Sequence, residues 1–270
     1  MKQERLMPNG LPMTNSNTIY LPKGKKAYFI SDHHFGLDAK IPSKNREKSF
    51  IQWLENIKTD AGALFILGDM FDFWYEYKQA VPKGFTRVLG KLAELTDNGL
   101  PVYFFVGNHD MWMKNYLTEE LGIPIYFEPQ IFEINHKKFF IGHGDGLGPG
   151  DRAYKWLKKL FRNPVAQWWY RWLHPDIGLT LAKYLSQKNK LISGEYDQQF
   201  HGKEKEWLYI YAQNYLKKQP DINYFVFGHR HLPLEIPLND HATYLNTGDW
   251  LTHFTYVEFD GCKMQLKKNE

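Results

Sequence analysis

Cysteine is almost absent from this chain of 270 residues, which contains only Cys262. A single thiol excludes an internal disulfide framework and cysteine-rich zinc modules, and it fits a reducing compartment. No apolar run reaches the roughly 20 residues that a membrane-spanning helix requires. The net charge is only +4, from 34 Lys plus Arg against 30 Asp plus Glu, which is too small to indicate a nucleic-acid-binding protein by itself. Because thiolates are scarce, any metal ion must be bound by His, Asp, Asn or Glu.

Composition and length predict one α/β domain with an insertion. Apolar residues make up 43% and charged residues 24% of the chain, which is ordinary globular usage. Residues 1–26 are rich in Pro, Gly, Asn and Lys and lack the apolar segment of a secretory signal, so we predict a loosely ordered lead-in of a cytoplasmic protein. Residues 27–150 and 221–270 are expected to form the core, and residues 151–220 a helical insertion, here called the cap.

Five short apolar runs end in polar clusters and are candidate buried strands. They are Ala27–Ile30, Ala63–Leu67, Pro101–Val106, Lys138–Ile141 and Ile222–Phe227. Amphipathic helical patterns separate the first three runs, with Ser43 as a candidate N-cap. This β-α-β alternation predicts a parallel sheet, and such sheets bind ligands beyond the carboxyl ends of their strands.

Two later segments predict β-hairpins. Ile131–Asn135 pairs with Lys138–Ile141, and Thr252–Phe259 pairs with Lys263–Leu266 around the turn signal Asp260-Gly261. A second, mixed sheet is therefore expected to pack against the first, with helices outside.

The polar clusters supply seven candidate metal ligands. Residues two apart in a strand project to the same side, so Asp32 and His34 can reach one ion, and His229 with His231 repeats the arrangement. A mixed nitrogen and oxygen set suits Mn²⁺, Fe or Zn²⁺. Seven ligands exceed the needs of one ion, whereas two ions about 4 Å apart, bridged by Asp69, would use them all and suit displacement at phosphorus. The seven are Asp32, His34, Asp69, Asn108, His143, His229 and His231.

The same clusters resemble, in order, the five sequence blocks of the calcineurin-like metallophosphoesterases. The blocks are Asp32-His33-His34, Gly68-Asp69-Met70-Phe71-Asp72, Gly107-Asn108-His109-Asp110, Gly142-His143 and Gly228-His229-Arg230-His231. The resemblance implies an αββα sandwich of two sheets with two divalent ions, for which we expect Mn²⁺. It implies one ion bound by Asp32, His34, Asp69 and His231, and another bound by Asp69, Asn108, His143 and His229.

The resemblance also implies roles for residues beside these ligands. His109, steadied by Asp110, would stabilise the phosphate or protonate the leaving group, and Asn108 would help to stabilise the developing charge. We expect Asp72 to support the centre through hydrogen bonds. The segment containing Asp249 resembles a closing strand and turn, where a structural role is at least as plausible as a catalytic one.

A narrower resemblance extends over approximately residues 27 to 250. Leu67–Trp74, His143–Leu147 and the following Asp151-Arg152-Ala153-Tyr154 look like the UDP-2,3-diacylglucosamine diphosphatases, the branch that cleaves a lipid-linked UDP-sugar in lipid A synthesis. Many members of that branch have Arg where this chain has His109. The resemblance implies UMP and 2,3-diacylglucosamine 1-phosphate as products, and Asp151, Arg152 and Tyr154 as candidate substrate-binding residues.

The cap is basic and rich in tryptophan. The stretch from Arg152 to Lys190 contains nine Lys or Arg residues but only one acidic residue. It also contains four of the nine tryptophans of the chain. Val165, Trp168, Trp169, Trp172 and Leu173 share one face of a predicted helix between two prolines. Such a face suits an anionic membrane surface or a cover over a lipid diphosphate. Trp168, Trp169 and Trp172 are therefore candidate substrate contacts, and we expect peripheral association with the inner membrane.

Other interpretations remain open at this stage. The tryptophans can instead pack on the core, or stack on nucleic acid, which the lack of a second basic tract disfavours. For the whole chain, the sequence predicts a dinuclear phosphoester hydrolase. The alternatives are a nucleotide phosphodiesterase or nuclease with the same centre, and a non-catalytic scaffold, which the complete ligand set disfavours.

Overall fold

The computed structural model describes residues 17–149, 152–182, 184 and 199–269. The strands are β1 (Thr18–Ile19), β2 (Lys26–Ile30), β3 (Ala61–Ile66), β4 (Val102–Phe105), β5 (Ile125–Tyr126), β6 (Gln130–Ile134), β7 (Lys137–Ile141), β8 (Tyr224–Phe227), β9 (Pro233–Pro237), β10 (Thr243–Thr247), β11 (Thr255–Phe259) and β12 (Met264–Lys268). The helices are α1 (Ser43–Ile57), α2 (Thr86–Asp97), α3 (Tyr116–Leu121), α4 (Arg152–Phe161), α5 (Pro164–Arg171) and α6 (Trp207–Leu216), and residues 175–182 are also helical. No helix within the described ranges has the length and apolar character needed to cross a membrane.

The first sheet contains the parallel strands predicted at the start of the chain. Its strand order is β12-β11-β2-β3-β4-β5, in which β2, β3, β4 and β5 are parallel. Strand β11 runs antiparallel to both of its neighbours. The parallel start is therefore confirmed, and the apolar runs are nearly continuous because both faces of this sheet are covered.

The second sheet is mixed, with the order β1-β6-β7-β8-β10-β9. Strands β7, β8 and β10 are parallel, while β6 runs antiparallel to β7 and β9 runs antiparallel to β10. The two predicted hairpins are β6–β7 and β11–β12. Both hairpins are confirmed.

Alternation of side chains along the strands builds three apolar layers. Phe29 and Phe65 of the first sheet pack between the sheets with Phe139 of the second. The opposite face of the first sheet, which includes Leu64, packs against α1, α2 and α3. The outer face of the second sheet, which includes Phe225, packs against α6. The predicted αββα sandwich is therefore confirmed.

Helix α6 differs from the predicted division of the chain. We assigned residues 151–220 to the cap, but Leu208, Ala212 and Leu216 of α6 are buried in one cluster with Phe140 and Phe225. The three helix residues recur every four positions and so form one face. This helix therefore belongs to the sandwich, because its apolar stripe covers the outer face of the second sheet.

The predicted N-terminal lead-in is also more ordered than the sequence indicates. Residues 1–16 lie outside the described part of the chain, but β1 pairs in parallel with β6. The amide of Leu21 donates to Asn135 Oδ1 at 2.9 Å. The segment from residue 17 onwards is therefore held as an edge strand by backbone and side-chain hydrogen bonds.

The first residue of α1 does not have the predicted capping role. Pro42 occupies the N-cap, and Ser43 is the first helical residue. The Ser43 amide donates to Asp38 Oδ1 at 2.8 Å, and the Ser43 hydroxyl accepts from the Gly36 amide at 2.7 Å. Ser43 thus links the preceding loop to the helix, because its amide and its hydroxyl both form hydrogen bonds with residues of that loop.

Candidate metal centre

The carboxyl ends of strands from both sheets meet at one edge of the sandwich. Asp32 and His34 follow β2, Asp69 follows β3, Asn108 follows β4, His143 follows β7, and His229 and His231 follow β8. The structure brings these seven predicted ligands together in two adjoining groups.

The first group contains Asp32, His34 and His231, whose ligand atoms all lie within 4.8 Å of one another. Nε2 of His34 lies 3.3 Å from Nε2 of His231 and 3.9 Å from Asp32 Oδ1. Nε2 of His231 lies 3.4 Å from the same oxygen. Two nitrogens and one carboxylate oxygen thus converge on one point.

The second group contains Asp69, His143 and His229, again with ligand atoms within 4.8 Å of one another. Nε2 of His143 lies 3.4 Å from Asp69 Oδ2 and 3.2 Å from Asn108 Oδ1. The amide oxygen of Asn108 therefore joins this group.

Asp69 faces both groups. Its Oδ2 atom lies 3.7 Å from His34 Nε2 and 3.4 Å from His143 Nε2, while its Oδ1 atom accepts a hydrogen bond from the His109 amide at 2.8 Å. One carboxylate oxygen therefore lies between two sets of ligands, which is the position required of a bridging carboxylate.

The electrostatics of these residues fit divalent cations. Asp32 Oδ1 is buried and has no hydrogen-bond partner in the described part of the chain, whereas Asp32 Oδ2 accepts from the His229 amide at 2.8 Å. Burial raises the pKa of Asp32. A buried carboxylate oxygen without a partner is costly, and a cation bound between the converging donors would remove that cost.

Burial and neighbouring charges shift the pKa values of the second group. Burial opposes a charge on His143, but the carboxylate of Asp69 raises the pKa of His143 to about 10. Burial and the neighbouring His143 lower the pKa of His229 to about 3. Burial would likewise raise the pKa of Asp69, but the charge of His143 holds it well below its usual range. The centre thus requires positive charge beside Asp69, and the donor set of His, Asp and Asn suits a divalent ion that supplies it.

Backbone geometry at the ligands differs from the strand geometry we assumed. Five ligands have left-handed φ angles: Asp32 at 54°, His34 at 46°, Asp69 at 52°, His229 at 68° and His231 at 52°. Asp32 and His34 lie beyond the end of β2, and His229 and His231 lie beyond the end of β8. Consecutive tight turns therefore bring Asp32 and His34 into one ligand group, whereas His229 and His231 enter different groups. Such conformations cost roughly 1–2 kcal/mol per non-glycine residue and are typical of functional sites.

The residue between the first two ligands points away from the centre. His33 is fully buried and packs on the rings of Phe35, Phe50 and Trp250. Burial and the nearby Arg46 lower the pKa of His33 to about 3. His33 is thus a neutral core residue that anchors the loop carrying Asp32 and His34.

Three of the ligand histidines are oriented through their second ring nitrogen. Nδ1 of His34 lies 3.3 Å from Asp72 Oδ1, and Nδ1 of His231 lies 3.4 Å from Asp249 Oδ2. Nδ1 of His143 donates to the Leu67 carbonyl at 2.6 Å. Such contacts fix the tautomer and leave Nε2 available to a metal. The sequence predicts support from Asp72 but indicates no specific role for Asp249, although it too is a carboxylate just beyond a strand end.

The described side-chain hydrogen bonds of His109 and Asp110 involve different partners. Nδ1 of His109 donates to the Asp72 carbonyl oxygen at 2.9 Å. Asp110 is fully buried and accepts from the amides of Gly107 at 2.7 Å and Met70 at 3.0 Å. Asp110 therefore ties together the loops after β3 and β4, and support of His109 by Asp110 stays a prediction.

Of the substrate-binding residues predicted in α4, Tyr154 contacts the loop that follows His143. Tyr154 donates to Asp145 Oδ2 at 2.7 Å, and Lys158 Nζ lies 2.6 Å from the same oxygen. Asp151 lies outside the described residues, as does the side chain of Arg152. Helix α4 is thus tied to the loop that follows His143.

Trp168 and Trp169 of α5 and Trp172 at its C-cap are exposed, contrary to the interpretation that they pack on the core. The relative exposure is 49% for Trp168, 67% for Trp169 and 72% for Trp172, and Val165 beside them is also exposed. We call these four residues the tryptophan face. Exposed apolar patches of this kind typically mark interaction surfaces.

The opposite side of α5 contacts the core through aromatic residues. The Tyr170 ring lies 4.5 Å from the ring of Trp112 and 4.7 Å from that of Tyr75, measured between centroids. The Tyr75 hydroxyl donates to the Gln167 carbonyl at 2.8 Å, and Trp112 Nε1 donates to the Phe161 carbonyl at 2.6 Å. Helices α4 and α5 are therefore held beside the loops after β3 and β4 with the tryptophan face outward.

The fold and the paired ligand groups define a metallophosphoesterase. Residues 25–233 match the calcineurin-like phosphoesterase family, and the chain belongs to that family of metal-dependent hydrolases, as its sequence blocks predicted. A UDP-2,3-diacylglucosamine hydrolase of Porphyromonas gingivalis is 38% identical over 257 residues, which cover 91% of this chain and 98% of the relative. A UDP-2,3-diacylglucosamine hydrolase of Histophilus somni is 28% identical over 231 residues, covering 84% and 92% of the two chains. Among solved structures, a dimetal phosphatase from Danio rerio aligns with a TM-score of 0.42 at 11% identity, covering 92% of this chain and 100% of that chain.

Proposed function

We propose that this protein hydrolyses UDP-2,3-diacylglucosamine to UMP and 2,3-diacylglucosamine 1-phosphate in lipid A synthesis. The observation that carries the proposal is the similarity to the Porphyromonas gingivalis hydrolase over nearly the whole length of both chains. The tryptophan face adds support, because an acylated substrate requires apolar surface near a phosphate-binding centre.

Two divalent ions, proposed to be Mn²⁺, would be held by the ligand groups around Asp69. When bound, such ions lower the pKa of a water molecule and neutralise the oxygens of a phosphoryl group. Mn²⁺ is proposed because carboxylate and amide oxygens accompany the histidines.

His109 is proposed to act on the substrate. Its side chain is 17% exposed, and its ring centroid lies 4.6 Å from that of the ligand His34. The contact of Nδ1 with the Asp72 carbonyl fixes Nδ1 as the donor in that bond and directs Nε2 elsewhere. With a proton also on Nε2, the ring can donate a hydrogen bond to a phosphoryl oxygen or a proton to the departing group.

The tryptophan face is proposed to dock on the cytoplasmic surface of the inner membrane and to accept the acyl chains. Arg171, next to Trp172 in sequence, and Lys159 of α4 are exposed basic residues. Exposed tryptophans with basic neighbours are typical of helices that lie in an anionic lipid interface. This arrangement would present the metal centre to a substrate that remains in the bilayer.

The function is tested by a substrate panel. Purified protein loaded with Mn²⁺ is assayed with UDP-2,3-diacylglucosamine, with UDP-N-acetylglucosamine, which lacks the long acyl chains, and with single-stranded DNA. We expect the highest kcat/KM for the diacylated substrate. In ¹⁸O-labelled water the label should enter UMP, because the attack is proposed at the phosphorus bonded to uridine. Preferred cleavage of DNA, or label in the sugar phosphate, would contradict the proposal.

A further inference from the structure

Arg230 lies between the ligands His229 and His231 in sequence, but its side chain lies in the protein interior. It is only 4% exposed. Its Nε atom donates to Glu206 Oε2 at 3.0 Å, and its guanidinium carbon lies 4.4 Å from the centre of the Trp207 ring. The cation is thus paired with a carboxylate and stacked on an aromatic face, two interactions that suit a planar guanidinium.

Glu206 is also buried and is held from a second direction. It is 2% exposed, and its other carboxylate oxygen accepts from the Tyr244 hydroxyl at 3.2 Å. Tyr244 belongs to β10, and Glu206 is the N-cap residue of α6. The pair therefore joins the start of α6 to the loop after β8 through groups whose removal would leave a buried charge unpaired.

The anchored residue controls the direction of its two neighbours. His229 and His231 have left-handed φ angles of 68° and 52°, conformations that persist only where the surroundings enforce them. Between them, the Arg230 amide donates to the Gly228 carbonyl at 2.8 Å. Because the Arg230 side chain is directed inward, the side chains on either side face the centre, and they belong to different ligand groups.

We propose that the Glu206–Arg230 pair is a positioning element that sets the affinity of both metal sites at once. Neither residue is needed as a ligand, since each acts through His229 and His231. Glu206 is the residue at which the chain re-enters the sandwich through α6, so the base of the cap and the metal centre share one buried contact. The inference rests on the metal centre of the family and does not depend on the identity of the substrate.

The test is a metal titration of the metal-free protein carrying Glu206→Gln, a nearly isosteric change that removes the charge. Loss of a residue that orients metal ligands typically lowers metal affinity about 10- to 100-fold. We therefore expect weaker Mn²⁺ binding at both sites by calorimetry, fewer bound ions by elemental analysis after dialysis, and recovery of kcat for a small phosphodiester at high Mn²⁺. Unchanged affinity at both sites would overturn the proposal.

Glu258→Gln is the matched control, because Glu258 is another largely buried glutamate paired with a cation, Lys26 at 3.4 Å. It lies on β11 and should alter thermal stability without weakening metal binding. Equal losses of metal affinity in the two variants would show a general destabilisation and overturn the proposal. If Glu206→Gln does not fold, Tyr244→Phe removes only one hydrogen bond to Glu206 and should produce a smaller weakening of the same kind. Wild-type affinity in a folded Tyr244→Phe variant would then overturn the proposal.

Discussion

Nε2 of His34 and Nε2 of His231 lie 3.3 Å apart, although 197 positions separate the two residues. His34 follows a strand of the first sheet and His231 follows a strand of the second. The Nδ1 atom of each ring faces a carboxylate, Asp72 in one case and Asp249 in the other. The ligand atoms of the first group therefore come from both sheets, and a bound ion would link the sheets at this edge.

Removal of metal ions is expected to lower the stability of the whole sandwich. An ion that binds only the folded state stabilises it by about 2.7 kcal/mol at a free concentration of 100 times its Kd. Thermal unfolding measured with excess EDTA should therefore show a lower Tm than with Mn²⁺. An unchanged Tm would argue against a cation that links the two sheets.

Asp69→Asn should remove bridging charge from both ligand groups. We expect loss of turnover and fewer than two bound ions per chain, because the amide keeps the shape but not the charge that offsets two cations. Elemental analysis and hydrolysis of bis(p-nitrophenyl) phosphate measure these effects. Asp240→Asn changes an exposed aspartate and should behave as wild type. Full activity of Asp69→Asn, or a single ion in the wild-type chain, would contradict the bridge.

Gly107→Ala should displace the same carboxylate without changing its charge. A Cβ atom at Gly107 would lie 2.6 Å from the Asp69 amide nitrogen and 2.9 Å from Asp69 Cγ, so that Asp69 must move. We expect reduced metal content and activity in a protein that remains folded by circular dichroism. Gly90→Ala is the control, because nothing lies within 4 Å of its added Cβ in α2. That change should stabilise the protein by roughly 0.5–1 kcal/mol and leave metal content unchanged.

His109→Ala should reduce chemistry while leaving the metal ions in place. We expect kcat to fall by roughly 10²–10⁴, the usual scale for a lost acid–base group, with two ions still bound by elemental analysis. The exposed His241 provides a control, and His241→Ala should keep wild-type kcat. Loss of an ion from His109→Ala would make His109 a ligand instead.

Replacement of the tryptophan face should affect lipid-bearing substrates selectively. A variant with Trp168, Trp169 and Trp172 changed to Ser should bind vesicles containing phosphatidylglycerol more weakly in cosedimentation. It should also lose kcat/KM for the diacylated UDP-sugar but keep that for bis(p-nitrophenyl) phosphate. Tyr20→Ser, at another residue with 65% relative exposure, controls for a general loss of aromatic surface. Equal losses on both substrates together with a lower Tm would indicate that the three tryptophans have a packing role instead.

The sequence alone was sufficient for the parallel arrangement of the first strands, both hairpins and the family. These features depend on local patterns. Apolar runs of strand length, the Asp260-Gly261 turn and polar residues at the ends of strands are read directly from neighbouring residues. The parallel arrangement then requires those polar residues to meet at one edge.

Long-range contacts decided which residues support the ligands. Asp110 lies beside His109 in sequence, yet its carboxylate accepts from Met70, 40 positions away. Glu206 and Arg230 are 24 positions apart and form a buried pair. Partners of this kind depend on how the loops of separate strands are packed together, and a local pattern does not contain that information.

Helices α5 and α6 show most clearly that the sequence alone does not determine which helix faces are buried. The sequence predicts an apolar face for α5, and the predicted cap of residues 151–220 includes both α5 and α6. In the structure, Leu208, Ala212 and Leu216 of α6 are buried against the second sheet, whereas Trp168 and Trp169 of α5 are exposed. The period of a helix determines which residues share a face, but only the surface available in the tertiary structure decides whether that face is buried or left for a partner.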